Sequence, residues 1–137
     1  CQLTNLNLEG NGIVDEGVEM LCCALEKEHC KLTVLNLSSC SLTDKCIPSL
    51  CKALRNINCR LTELGLENPQ SYQNKMAVFL NKFTSEKVRL LFEVEQSEHC
   101  RARGLRIKLD YDRRSKYVEM MFGRMSRVLI RNQAAPN

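Results

Sequence analysis

A chain of 137 residues with 44% apolar and 26% charged side chains has the size and balance of one globular domain. No run of 18 apolar residues occurs, so no segment reads as a membrane-spanning helix, and no basic stretch leading into an apolar one marks a secretory signal. The formal net charge of +4 is unevenly held: residues 1–83 carry 8 Lys and Arg against 9 Asp and Glu, whereas residues 84–137 carry 12 against 7.

Three stretches are nearly the same words. Cys1 to Leu8 reads C-Q-L-T-N-L-N-L, Cys30 to Leu37 reads C-K-L-T-V-L-N-L, and Cys59 to Leu66 reads C-R-L-T-E-L-G-L, spaced 29 residues apart. Self-similarity at a fixed period of this length predicts a solenoid of stacked turns. The chain enters this pattern at Cys1, which suggests a fragment cut at a repeat boundary. Residues 1–83 are therefore read as three repeats.

In the first repeat Leu6 and Leu8 alternate as in a short strand, with Asn5, Asn7 and Glu9 on the other face. Asn11 can bond the open backbone of the following turn. Asp15 is the expected N-cap of a helix whose inner face is Val18, Leu21, Cys22 and Leu25. The second repeat has Leu32, Leu35 and Leu37 in the strand, Cys40 in the place of Asn11, and Asp44 or Thr43 as cap. Pro48 then falls in the first helical turn, where its missing N–H is harmless. In the third repeat Leu61, Leu64 and Leu66 keep the strand, Pro69 stands where Asn11 and Cys40 stood, and Met76, Phe79, Leu80 and Phe83 match the helix face.

Beyond Phe83 the period breaks. Val88, Leu90, Phe92 and Val94 alternate, which predicts an extra strand within an insertion at 84–99. Glu98-His99-Cys100 repeats Glu28-His29-Cys30, and from Cys100 the residues Leu105 and Ile107 keep the offsets of Leu6 and Leu8 from Cys1. Residues 100–137 are accordingly read as a degenerate capping repeat and basic tail. Its helix would bury Tyr117, Val118, Met121, Met125, Val128 and Leu129, and the end from Gln133 would fray.

Nine cysteines would suggest disulfides in a secreted chain. Cys1, Cys30 and Cys59 share one repeat position, however, and Cys22 and Cys51 share another. Equivalent positions in stacked turns point the same way, as small buried apolar groups do. The thiols are thus expected to be structural and reduced, which fits a cytoplasmic protein.

The pattern C-x-L-T-x-L-x-L, then N/C-x-L/I, then D-x-G/C-V/I-x-x-L-C-x-A-L resembles the ribonuclease-inhibitor-like class of leucine-rich repeats. The variant L-C-x-A-L-x-x-x-x-C-x-L-T is most similar to the repeats of cytosolic NOD-like receptors. The resemblance covers residues 1–83 well and part of 100–131. It implies an α/β horseshoe with a parallel concave sheet, outer helices and a divergent C-terminal cap. It also implies a non-enzymatic protein-interaction module, ligand-sensing or autoinhibitory, of an innate immune receptor. The alternatives implied are an inhibitor that wraps an enzyme, or a Ran-GTPase-activating type of regulator using Asn11 or Asn68.

On that fold the concave face would present Asn5, Asn7, Glu9, Val34, Asn36, Ser38, Glu63, Gly65 and Glu67, free of core duties and open to a protein partner. A second candidate is basic. Arg101, Arg103, Arg106 and Lys108 alternate, and Arg113, Arg114 and Lys116 follow with Tyr111 and Tyr117, a composition that suits nucleic acid or anionic lipid. His29 and His99 each precede a Cys, but a helix–strand junction need not bring imidazole and thiol together. No C-x-x-C spacing predicts a metal, and neither G-x-x-x-x-G-K-[ST] nor G-x-G-x-x-G predicts a nucleotide cofactor.

Overall fold

The computed structural model describes residues 2–68 and 81–109. In chain order these form β1 (Asn5–Asn7), α1 (Val14–Leu25), β2 (Val34–Asn36), a 3-10 turn (Asp44–Cys46) running into α2 (Ile47–Arg55), and β3 (Glu63–Gly65). Then come α3 (Ser85–Glu95), α4 (Glu98–Arg103) and β4 (Arg106–Lys108). The strands make one parallel sheet in the order β1-β2-β3-β4. Leu6, Leu35, Leu64 and Ile107 lie side by side across it. Helices α1, α2 and α3 stack in the same sequence.

The Thr and the leucines of the repeated octapeptide have structural tasks. The Thr before each strand joins neighbouring turns: Thr33 donates both its N–H (2.8 Å) and its Oγ1 (3.1 Å) to the carbonyl of Thr4. Thr62 does the same to Thr33, at 2.8 and 3.2 Å. The leucines turn inward, and Leu35, Leu37, Leu64 and Leu66 are all but sealed from solvent. Burying each such side chain contributes about 1.5–3 kcal/mol. From the helices come Val18, Cys22, Leu25, Ile47, Leu50, Cys51, Ala53 and Leu54, which complete one continuous core. Pro48 does sit at the start of α2.

Asp15 has a different role from the expected one. It lies inside the first turn of α1, whose N-cap is Ile13, and is buried. Its carboxylate accepts from the N–H (2.9 Å) and Oγ1 (2.6 Å) of Thr43 in the next turn. Asp44 receives Thr84 in the same way, at 2.9 and 2.8 Å. The Asp of each turn therefore fastens the helix start of the following one, and Thr43 itself caps the 3-10 turn by accepting from the Lys45 N–H.

The region after β3 corrects the expectation of a strand at 84–99. Residues 85–95 are helical, with Thr84 as N-cap accepting from the N–H of Lys87. Leu91, Phe92 and Val94 are buried in α3 as Leu50, Cys51 and Ala53 are in α2. Leu91, outside the alternation, completes the i, i+3, i+4 set Val88, Leu91 and Phe92 of a helix, and over so short a run the two periods overlap. Phe83 precedes the helix instead of closing it. The extra 12 residues of the third turn thus fall between β3 and Asn81 rather than after Phe83, since Cys40 and Asn81 are equivalent and 41 apart. Pro69, Met76, Phe79 and Leu80 lie outside the described residues, as do Cys1 and the helix and tail anticipated beyond 109.

The register at β4 also moves. Ile107, not Leu105, pairs with Leu64, and Leu109 takes the place of Leu66. The two added residues belong to α4, which Gly104 ends in the left-handed conformation (φ 80°) that glycine adopts most readily.

Candidate functional site

The face of the sheet opposite the leucines carries three ranks of side chains. Strand pairing sets Asn5, Val34, Glu63 and Arg106 in one rank and Asn7, Asn36, Gly65 and Lys108 in the next. Glu9, Ser38 and Glu67 follow in the loops beyond. Neighbouring strands lie about 4.8 Å apart, so a rank is a row of closely spaced groups on a rigid support.

Exposure divides the expected residues. Asn5, Asn7 and Arg106 are exposed, and Glu9, Val34, Asn36, Glu63, Glu67 and Lys108 are half-buried. Ser38 and Gly65 are buried and cannot meet a partner through a side chain, which removes both from the candidate face. The reason is local. Asn7 and Asn36 each accept the N–H two residues on, Glu9 and Ser38 respectively, both at 3.0 Å. Gly65 has no side-chain oxygen to accept in this way, and Ser38 Oγ accepts the Glu67 N–H in its stead at 3.1 Å. A Cβ at Gly65 would come within 2.9 Å of Asn36 Oδ1, so glycine is what lets this linkage form.

Charges on the face are partly matched. Asn36 Nδ2 donates to Glu9 Oε1 at 2.9 Å, and Lys108 Nζ reaches Glu63 Oε2 at 3.2 Å. The basic stripe expected from Arg101 to Lys108 does not form one strand face, because Arg101 and Arg103 belong to α4. Arg103 turns inward, donating from Nε to the Leu61 carbonyl (2.6 Å) and from Nη2 to the Leu54 carbonyl (3.0 Å). It caps the end of α2 and is not part of a basic patch. Arg106 and Lys108 remain on the open face; Arg113 and Arg114 lie outside the described residues.

Within this frame residues 1–22 match a family model described as Leucine Rich repeat, and residues 31–53 match a second described as Leucine Rich Repeat. The matched segments are leucine-rich repeats. No significant match to a curated protein was found. The parallel sheet with its layer of helices is an α/β leucine-rich-repeat fold. Repeats of this kind generally mediate protein–protein interaction and are typically non-enzymatic.

The residues that offered chemistry serve the fold itself. His99 Nε2 is 3.3 Å from the Asn56 carbonyl, while the Cys100 thiol is buried and donates to the Leu54 carbonyl at 3.3 Å. Asn11 Nδ2 donates to the carbonyls of Leu8 and Glu9. Asn68 exchanges two bonds with the backbone of Asn81, at 2.9 and 2.7 Å. Among the described residues no group of three His, Cys, Asp or Glu could hold a metal ion. No described helix is long and apolar enough to cross a membrane.

Two features escaped the sequence reading. Asn81 is buried and makes four bonds: Oδ1 accepts from the N–H groups of Cys40 and Leu42, both at 3.0 Å, and Nδ2 donates to the carbonyls of Leu37 (2.9 Å) and Leu66 (3.2 Å). It is the third-turn counterpart of Asn11 and Cys40, displaced by the added residues, and Asn-x-Phe-Thr set against Asn-x-Ile and Cys-x-Leu-Thr was the available signal. The second is Glu95, a buried acid in a leucine position.

All eight described cysteines are free. Cys22, Cys40, Cys46, Cys51, Cys59 and Cys100 are buried, Cys30 is half-buried and Cys23 exposed. Burial pushes the Cys22 thiol up to about 12, with Glu26 adding to the effect. Burial likewise raises Cys40, Cys46, Cys51 and Cys59. These thiols stay protonated and behave as small apolar groups.

Proposed function

We propose that the open face of the sheet is a protein-recognition surface, concave in the assembled array, and that it binds its partner without catalysis. The carrying observation is the in-register row of polar side chains, Asn5, Asn7, Glu9, Asn36, Glu63 and Glu67 with Arg106 and Lys108, on strands whose other face is core. Side chains that do no packing on a rigid scaffold are free to specify a ligand. Glu9 in the first turn, and Glu63 and Glu67 beside Arg106 and Lys108 at the other end, favour a partner of mixed charge, read by hydrogen bonds and rim ion pairs.

The finer reading is the ligand-sensing or autoinhibitory region of a cytoplasmic NOD-like innate immune receptor. The repeat wording L-C-x-A-L-x-x-x-x-C-x-L-T supports it, as do eight unpaired thiols, which suit a reducing compartment.

The test compares three chains of matched thermal stability in a reducing pull-down, followed by titration of the purified captured protein. One is unmodified, one carries Glu9→Lys, Glu63→Lys and Glu67→Lys, and one carries Lys27→Glu, Lys52→Glu and Arg55→Glu away from the sheet. Loss of binding in the sheet variant alone supports the reading. Binding that survives there but fails in the Lys27/Lys52/Arg55 variant places recognition elsewhere and overturns it.

A further inference from the structure

Leu25 in α1, Leu54 in α2 and Glu95 in α3 occupy one repeat position, and all three are buried, at 1%, 0% and 5% exposure. A carboxylate in an apolar core is costly unless it meets a donor. Glu95 meets one: its Oε2 accepts from the backbone N–H of Ile107 at 2.6 Å.

That N–H has a particular place in the sheet. Arg106 donates to the Thr62 carbonyl (3.0 Å), and the Lys108 carbonyl accepts from Leu66 (2.8 Å), so these two residues turn their backbone groups to β3. Ile107 stands between them. In a parallel strand alternate residues serve opposite edges, which directs the Ile107 backbone away from β3, to the outer edge of β4. Residues of the same parity in earlier strands, Leu8, Leu37 and Leu66, donate from that edge to the following strand, to Asn36, Gly65 and Lys108 at 2.8–2.9 Å. At β4 the acceptor comes from Glu95 instead.

We infer that Glu95 closes the sheet: its carboxylate fills the acceptor position that the carbonyl of a fifth strand would take, so strand addition stops at β4. An unpaired edge is a template for pairing with another chain, and proteins block such edges with inward charges. The strands reached after α1 and α2, β2 and β3, each have a further strand beside them, and there the position is Leu; the strand reached after α3 is β4, the last among the described residues. Glu95 also holds Ile107 between Arg106 and Lys108, and so sets the basic end of the open face. Burial raises the Glu95 carboxyl, while the Ile107 N–H, the Arg106 guanidinium and Gln96 act in the opposite direction.

The test uses the full chain with Glu95→Gln, which keeps an acceptor, and Glu95→Leu, which restores the repeat residue and removes it. Amide exchange at Ile107 is measured by NMR relative to Leu64, with mass by sedimentation over a concentration series. The expected result is near-unmodified protection in Glu95→Gln. In Glu95→Leu exchange is faster by about tenfold or more, with a concentration-dependent rise in mass. Unchanged relative exchange in Glu95→Leu, or faster exchange with no rise in mass, overturns the inference. If Glu95→Leu does not fold, the Ile107 amide shift of the unmodified chain decides. It should follow one carboxyl titration that Glu95→Gln abolishes, and its absence overturns the inference equally.

Discussion

The first and second turns are written in nearly the same residues and are built differently. Leu3 is 47% exposed where Leu32 is 6% and Leu61 is sealed. Leu6, Leu8, Ile13 and Leu21 are only partly covered, while Leu35, Leu37, Leu42 and Leu50 are fully buried, and Ala24 is exposed where Ala53 is not. A single turn has one apolar side toward each neighbour, and among the described residues nothing packs on the outer side of β1. The octapeptide therefore encodes a surface that fits, and burial arises only where a second copy of the pattern stacks against it. A residue's energetic worth follows its place in the stack more than its identity.

The Asn position gives the largest contrast. Asn11 and Asn81 are equivalent, but Asn11 is exposed and bonds within its own turn, whereas Asn81 is buried with four partners from two turns. Asn81→Leu leaves two N–H groups and two carbonyls unpaired in the core, and is expected to lower unfolding stability by about 4 kcal/mol or more. Asn11→Ala should cost under about 1 kcal/mol. Urea unfolding of the pair measures both. Equal losses would mean that the two turns are not distinguished by stacking.

The leucines sharpen the same point. Leu32→Ala removes a sealed side chain and is expected to cost about 3 kcal/mol, against less than about 1 kcal/mol for Leu3→Ala. The thiols repeat it at one ladder position. Cys30 is half-buried and Cys59 sealed, so among the described cysteines alkylation of the native chain should modify Cys23 first, Cys30 next, and Cys59 at least about tenfold more slowly than Cys30. Peptide mass mapping over time gives the order, and early labelling of Cys59 would contradict the buried ladder.

Much of this architecture was legible in the sequence because a 29-residue period survives in the residues that face the core. The strands at Leu6, Leu35 and Leu64 and the buried helix faces of Val18, Cys22 and Leu25 and of Ile47, Leu50, Cys51 and Leu54 follow directly from it. What was not legible lies where the spacing changes. The 12 added residues ahead of Asn81 moved the Asn position and the third helix together. The added residues of α4 then shifted β4 by two. For the open face, alternation correctly directed Asn5, Asn7, Asn36 and Glu63 away from the core. It could not show that Ser38 would be buried accepting the Glu67 N–H, or that Arg103 would turn back onto the carbonyls of Leu54 and Leu61.

Gly10 and Ser39 form another equivalent pair, both with a left-handed backbone, at φ 77° and 51°. Glycine is at ease there. Ser39 is strained, and its hydroxyl is buried without a hydrogen-bond partner. Ser39→Gly removes both penalties at the expense of some added freedom in the unfolded chain, and is expected to stabilise by about 1 kcal/mol. A raised Tm in calorimetry is the readout; a lowered one would mean that the hydroxyl is satisfied in solution.

The smallest effect is the pH dependence at the far end of the stack, where Glu95 replaces the Leu25 and Leu54 of earlier turns. Burial raises its folded-state value above the ordinary 4.5, so between those two values the folded chain binds more protons than the unfolded one. Stability contributed by this group is therefore full at and below the ordinary value and declines as pH rises through the raised one. The three neighbours that oppose the shift, the Ile107 N–H, Arg106 and Gln96, keep the decline shallow. Urea midpoints taken at intervals from pH 4 to 8 should fall more steeply in the unmodified chain than in Glu95→Gln, which cannot titrate. Parallel curves would show that the carboxyl is solvated at the edge of β4 and not held in the core position that α1 and α2 fill with leucine.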